Sequence, residues 1–171
     1  DGSSLTYESW SIDLVPGGSG PEGWNVFFWD RTTNGNRLVS HAASGPGARG
    51  NGSSEMATIS ADGSTVAYRS RSTDLIAGEG GPVDENVYLW DRSTDTTTLV
   101  SHATGEPSVR GNGGSGQPAV SATGSSLVYS SSSTDLISGG GLAEFYNVYH
   151  WDRSTDSTTL VSQSASGPFA G

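Results

Sequence analysis

Asn86-Val87-Tyr88-Leu89-Trp90-Asp91-Arg92 is the stretch that decides how this chain is read. It also occurs as Asn25-Val26-Phe27-Phe28-Trp29-Asp30-Arg31 and as Asn147-Val148-Tyr149-His150-Trp151-Asp152-Arg153, so that Asn25, Asn86 and Asn147 open three evenly spaced copies. Fixed-period self-similarity is the signature of repeat architectures. The 171 residues divide into repeats 1–61, 62–122 and 123–171, a single unit in which the third copy is shorter.

The heptad also says where each copy sits. Successive side chains of a strand face opposite sides of the sheet. In Val87-Tyr88-Leu89-Trp90 both alternating sets are apolar. A sheet with one wet face shows polar alternation instead, so this strand must be covered on both faces. Around it lie Thr65-Val66-Ala67-Tyr68-Arg69-Ser70 (strand B) and a more polar stretch at 97–102 (strand D), and a further strand (strand A) is predicted at 118–122. All are rich in β-branched or aromatic residues and bounded by turn chemistry. Asp62-Gly63 marks the A–B turn, and Asn34-Gly35 predicts a primed hairpin turn between C and D. No segment shows a helical stripe behind a cap.

These features predict an all-β fold, a β-propeller built from four-stranded antiparallel blades, with three blades in this chain and eleven strands. Three blades make an incomplete ring, which implies part of a six- to eight-bladed propeller or closure by oligomerisation. The B–C connection (77–85) and the D–A connection (103–117) are long and glycine-rich, and both fall at one end of the blades. A ligand site is expected there.

Composition narrows the function classes. The formal net charge is −10, with eight arginines and no lysine. Such a surface repels polyanions and offers no phosphate-binding patch, which argues against nucleic acid as a partner. No apolar run reaches the length of a membrane span, so no membrane insertion is expected. Cysteine is absent, which rules out disulfides and thiolate metal sites. The chain opens on Asp1 rather than Met and reads as processed, excised or partial. Leu, Ile, Val and Phe together fall short of one-fifth of the chain, a share that with high charge suggests disorder. Their concentration in short periodic strands outweighs that prior.

The run Ser60-Ala61-Asp62-Gly63-Ser64-Thr65-Val66-Ala67-Tyr68 followed by Asn86–Arg92, echoed by Ser121-Ala122-Thr123-Gly124-Ser125-Ser126-Leu127-Val128-Tyr129, resembles WD-repeat-like, TolB-like bacterial β-propeller repeats. The resemblance implies the propeller fold, a secreted, periplasmic or cell-surface location, and protein–protein interaction as the role. Such propellers also serve as domains appended to hydrolases, since fold does not fix function.

Candidate chemistry divides by whether it repeats. Asp13, Asp74 and Asp135 stand at one constant step before Asn25, Asn86 and Asn147 of the heptads. They are weak candidates for a calcium site at the B–C loop, and otherwise loop-pinning carboxylates. Trp29, Asp30, Trp90, Asp91, Trp151 and Asp152 recur with the strand and read as structural, although the Asp-Arg pairs could form a ring of charges. Arg49 and Arg110 sit in Arg-Gly-Asn-Gly loops and read as arginines free to interact. His41 and His102 share a position that carries Gln163 in the third copy, which breaks any histidine ring. No nucleophile elbow or defensible triad occurs, so the chain is read as no enzyme.

The ligand-binding candidates are residues that break the repeat. Trp24, Glu85 and Tyr146 share one position, and Trp10, Arg71 and Ser132 another. Aromatics at a loop base can stack on sugars or anchor a protein. Three roles therefore stay open: a non-enzymatic interaction or structural module with a protein partner or self-association, a carbohydrate-binding propeller, and an appended domain of a hydrolase. No cofactor is implied, calcium aside.

Overall fold

In the computed structural model, which describes residues 2–140 and 145–163, eleven strands form three antiparallel sheets. The first sheet holds β1 (Ser4–Ser9), β2 (Asn25–Asp30) and β3 (Gly35–Leu38). The second holds β4 (Ser54–Ile59), β5 (Thr65–Ser70), β6 (Asn86–Asp91) and β7 (Thr96–Leu99). The third repeats that plan with β8 (Ser115–Val120), β9 (Ser126–Ser131), β10 (Asn147–Asp152) and β11 (Ser157–Leu160). Within each sheet neighbours in sequence are neighbours in space. The described sheets are blade-like but close no ring, and the first has three strands.

The two-faced heptad explains how the sheets meet. Val66, Tyr68, Tyr88, Trp90 and Leu99 pack with Val26, Phe28 and Val39 of the first sheet. From the opposite face, Ala67, Val87, Leu89 and Val100 pack with Leu127, Tyr129, Tyr149, Trp151 and Leu160 of the third. One interface thus occurs twice, made by the same positions one repeat apart. Phe28 meets Trp90 across the first interface at 5.7 Å, while Tyr68 stacks on Tyr88 within the second sheet and Tyr129 on Tyr149 within the third, both at 5.8 Å.

Strand A starts earlier than the 118–122 expected, because the D–A loop joins the ladder at Ser115. Both inner strands carry a bulge, between Glu55 and Thr58 and between Gly116 and Ala119. The bulged residues Met56 and Gln117 sit at φ 57° and 52°, a region non-glycine residues rarely occupy. The irregularity accommodates Pro118 inside a paired strand, where a regular ladder would lose a donor.

The C–D hairpin differs from the primed turn that Asn34-Gly35 predicts. Asp30 pairs with Gly35, leaving a four-residue loop whose left-handed residue is Asn34, at φ 49°. Asp95 and Asp156 take the same conformation at 56° and 50°. The carboxylate of Asp30 sets the loop by accepting from the Thr32 amide and hydroxyl, and Asp91 and Asp152 do the same with Ser93 and Ser154. This local competition from an Asx side chain overrides the dipeptide signal. Strand D also ends sooner than residue 102, since the amides of Val100 and Ser101 both turn to the Val87 carbonyl.

Candidate functional site

Short turns gather at one end of the sheets, where Arg31, Arg92 and Arg153 donate their amides to Ser3, Ser64 and Ser125. The long loops gather at the other. There the Ser hydroxyls of the D–A connection lock each sheet: Ser40 accepts from the Val26 amide and donates to Asn25, and Ser101 does so with Val87 and Asn86. Ser162 repeats the link with Val148 and Asn147. The other end of each Asn side chain donates to the carbonyl of Gly23, Asp84 or Phe145.

Those bonds settle where the cation candidates stand. Asp74 accepts from the Asn51 amide at 3.0 Å and Asp135 from the Asn112 amide at 3.0 Å. Asp74 and Asp135 thus act as the loop-pinning carboxylates of the alternative reading, each tying down the incoming D–A loop, while the Asn86 and Asn147 amide groups are engaged within their own sheets. Among the described residues no three His, Asp or Glu side chains converge as a metal set would.

The reading of Arg49 and Arg110 as free to interact is corrected. Both are buried rather than free to interact. Arg49 donates to the carbonyls of Pro21, Ile12 and Gly20, and Arg110 to those of Pro82 and Gly81. Each guanidinium fork clamps the B–C loop from inside. Arg110 also meets the buried Glu79 carboxylate at 3.1 Å, and that carboxylate accepts from the Tyr88 hydroxyl. Burial pushes the Tyr88 hydroxyl well above the usual phenol range, and the neighbouring Glu79 charge adds to it. Glu79 has Gly18 and Gly140 at its repeat positions, so this cluster is peculiar to the second sheet.

Above this frame lie the residues that differ between copies, and strand register explains why they matter. The ladder between B and C ends on Ser9 with Asn25, Ser70 with Asn86 and Ser131 with Asn147. One step beyond, residue 10 faces 24, 71 faces 85 and 132 faces 146. The rings of Trp10 and Trp24 meet edge to face at 5.9 Å, while the indoles stay 51% and 42% exposed. Arg71 donates twice to Glu85 at 3.2 and 3.1 Å. Glu85 accepts further from Arg69, whose other nitrogen reaches Glu55, both at 2.9 Å. Ser132 turns back to the Gly114 carbonyl, leaving Tyr146 68% exposed.

Glu85 and Tyr146 thus line one groove of about 240 Å³, with Arg69, Met56 and Gln117 on its walls. The Trp pair stands apart from it. No sequence signal points to the strained residues Met56 and Gln117, because a bulge leaves no compositional mark. What this surface offers is two stacking platforms, a screened acid–base cluster and open hydroxyls.

The repeating Trp-Asp-Arg triplets divide their labour. Trp90 and Trp151 donate their indole N–H to Asp95 and Asp156, and Trp29 does so to Asn34. The Asp-Arg pairs link sheets: Arg92 lies over the Phe28 ring at 4.7 Å and pairs with Asp30, and Arg153 pairs with Asp91. The charge ladder is therefore present alongside the turn-forming role. Partial burial works to raise the Asp91 carboxyl, but the Ser93 hydroxyl, Arg153 and the turn amides outweigh it and hold the group far below the usual range.

No family model matches the chain, and no curated protein matches it. Among solved structures the crystal structure of the tricorn protease is similar over 75% of this chain, with 16% identity and a TM-score of 0.45. The match spans 11% of that protein's length.

Proposed function

We propose that the chain is an arc of a β-propeller acting as a non-enzymatic interaction module of a secreted or cell-surface protein. The observation that carries this reading is the separation of frame from surface. Residues shared by the repeats are buried or bonded to one another, whereas the unlike pairs Trp10/Trp24, Arg71/Glu85 and Ser132/Tyr146 stand at equivalent places on the open end of the sheets. Rigid elements that present different side chains from one scaffold are how binding surfaces are built.

The exposed indole pair and Tyr146 favour a saccharide as the second reading, because amphipathic rings stack on the apolar faces of sugars. Both readings are tested on arrays of glycans and of peptides, with the wild type beside Trp24→Ala, Glu85→Ala and Tyr146→Ala. Binding lost in these variants with unchanged melting supports the surface assigned here. Binding indifferent to all three overturns it, and turnover of ester, peptide or glycoside substrates overturns the non-enzymatic reading. A flat glycan array removes the saccharide.

A further inference from the structure

We infer that the groove where the second and third sheets meet holds one neutral hexopyranose ring, free or at the end of a glycan. The inference rests on the saccharide reading above and deepens it, naming the kind of ring and a place for it apart from the Trp10/Trp24 pair.

The two internal junctions differ beside the bulges of the inner strands. Where the first sheet meets the second, the Glu8 carboxylate crosses over and accepts from the Ala57 amide at 3.0 Å. One repeat later the corresponding residues are Arg69 and Pro118. Proline has no amide proton to give and the guanidinium has no acceptor, so that bridge cannot form. Arg69 bonds instead to Glu85 and Glu55, each at 2.9 Å, and a space of about 240 Å³ opens beside it. The opening is thus a departure from the repeat, set in a frame that recurs.

The walls of this space decide what fits it. Arg69 and Arg71 are balanced by Glu55 and Glu85, so the lining draws neither an anion nor a cation. A second space of about 200 Å³ shares Arg69 and Glu85 as a wall. Each is smaller than the clefts of about 300–1,000 Å³ that enclose drug-sized ligands, which suits a single ring. Tyr146 leans back across the junction, since a Cβ at Gly114 would stand 3.4 Å from both its hydroxyl and the Asp84 carboxylate of the second sheet. Its ring can pack on the apolar face of a pyranose. Among the described residues Arg69 uses two of its five N–H donors. The Arg69–Glu85 couple therefore sets donors beside acceptors, the pattern that two neighbouring sugar hydroxyls match by giving and taking at once. Gln117 and Ser130 extend that pattern along the groove. Gly116 lets the arginine lie flush with the wall, because a Cβ there would come within 3.1 Å of its Cδ. Gln117 is held beside it at φ 52°, a costly conformation of the kind that collects at ligand sites.

Titration of the isotope-labelled chain with methyl hexopyranosides, read by amide shifts, should saturate at Gly116, Gln117 and Tyr146 for a neutral sugar. Glucuronate and glucosamine should not move those amides. Tyr146→Ala should weaken binding tenfold or more. Gln117→Gly suits the left-handed backbone, so its melting temperature should hold or rise while binding falls by a similar factor. A glycan bound only on the array, and lost in both variants, supports the inference and assigns the groove to a chain terminus. No pyranoside shift, together with no array glycan that depends on Tyr146 and Gln117, overturns it. So does a preference for either charged sugar, or an array peptide whose capture fails in Gln117→Gly. Glycan binding lost in Trp24→Ala but kept in Tyr146→Ala and Gln117→Gly sinks this inference and spares the saccharide reading. A flat glycan array with no pyranoside shift sinks both, and peptide binding lost in Trp24→Ala would still leave the interaction module standing.

Discussion

Replacing each heptad tryptophan by alanine tests the packing scheme with one residue type at three equivalent places. Trp90 is fully buried between two sheets, meets Phe28, lies under the Arg37 guanidinium at 5.0 Å and donates to Asp95 at 3.0 Å. Trp151 is buried against the second sheet and donates to Asp156 at 2.9 Å. Trp29 has the same local sequence but is only partly buried among the described residues, and its indole bond to Asn34 is longer, at 3.3 Å. Removing a buried tryptophan costs about 3–5 kcal/mol, to which an aromatic pair adds about 0.5–1.5 kcal/mol. Trp90→Ala is therefore expected at the top of that range and Trp151→Ala within it. Trp29→Ala should cost less, roughly half as much, since Trp29 is only partly buried. Urea titration measures all three. Equal losses at the three positions would refute the account of burial by neighbouring sheets.

Three further outcomes follow. Ser101→Ala strands the buried Val87 amide and should cost about 1–3 kcal/mol by urea titration, against near zero for Ser162→Ala, whose site is exposed. Asp30, Asp62, Asp91 and Asp152 all have carboxyls held below their usual pKa of 3.8, mainly by turn hydroxyls and amides, with burial opposing at Asp91. A depressed folded-state value means their contribution is complete above pH 3.8 and is lost as pH falls through the lower folded values, so the melting temperature should hold to about pH 4 and drop beneath it; Asp91→Asn should flatten that drop. Adding millimolar calcium or a chelator should leave the melting temperature unmoved, because Asp74 and Asp135 already hold loop amides; a rise of several degrees would revive the cation site.

Much of the frame was legible because it is local and periodic. Strand B at Thr65–Ser70 and strand C from Asn86 stand where alternation and β-branched residues put them. The two-faced burial of Val87-Tyr88-Leu89-Trp90 follows from side-chain alternation alone. What eluded the sequence depends on a partner in another repeat. Arg92 and Asp30 are separated by one full repeat and a single further position. That offset would have exposed the ladder, but only to a reader already pairing one sheet with the next. Arg49 and Arg110 misled for the opposite reason, since a charged residue among glycines looks solvated until the loop it clamps is seen to fold over it. At the open end, Trp10 with Trp24 and Arg71 with Glu85 were visible as variable positions but not as pairs, because pairing is a matter of register.

The register that sets residue 10 against 24, 71 against 85 and 132 against 146 has a use beyond this molecule. Each slot holds two facing side chains on its own hairpin, just past the last rung. An aromatic couple, an ion pair and a hydroxyl with a phenol all occupy it above the same Ser–Asn lock. The lock does not depend on what the slot carries, so the slots behave as exchangeable letters on a fixed line. Libraries randomised at these six positions should therefore yield folded variants that differ in what they bind.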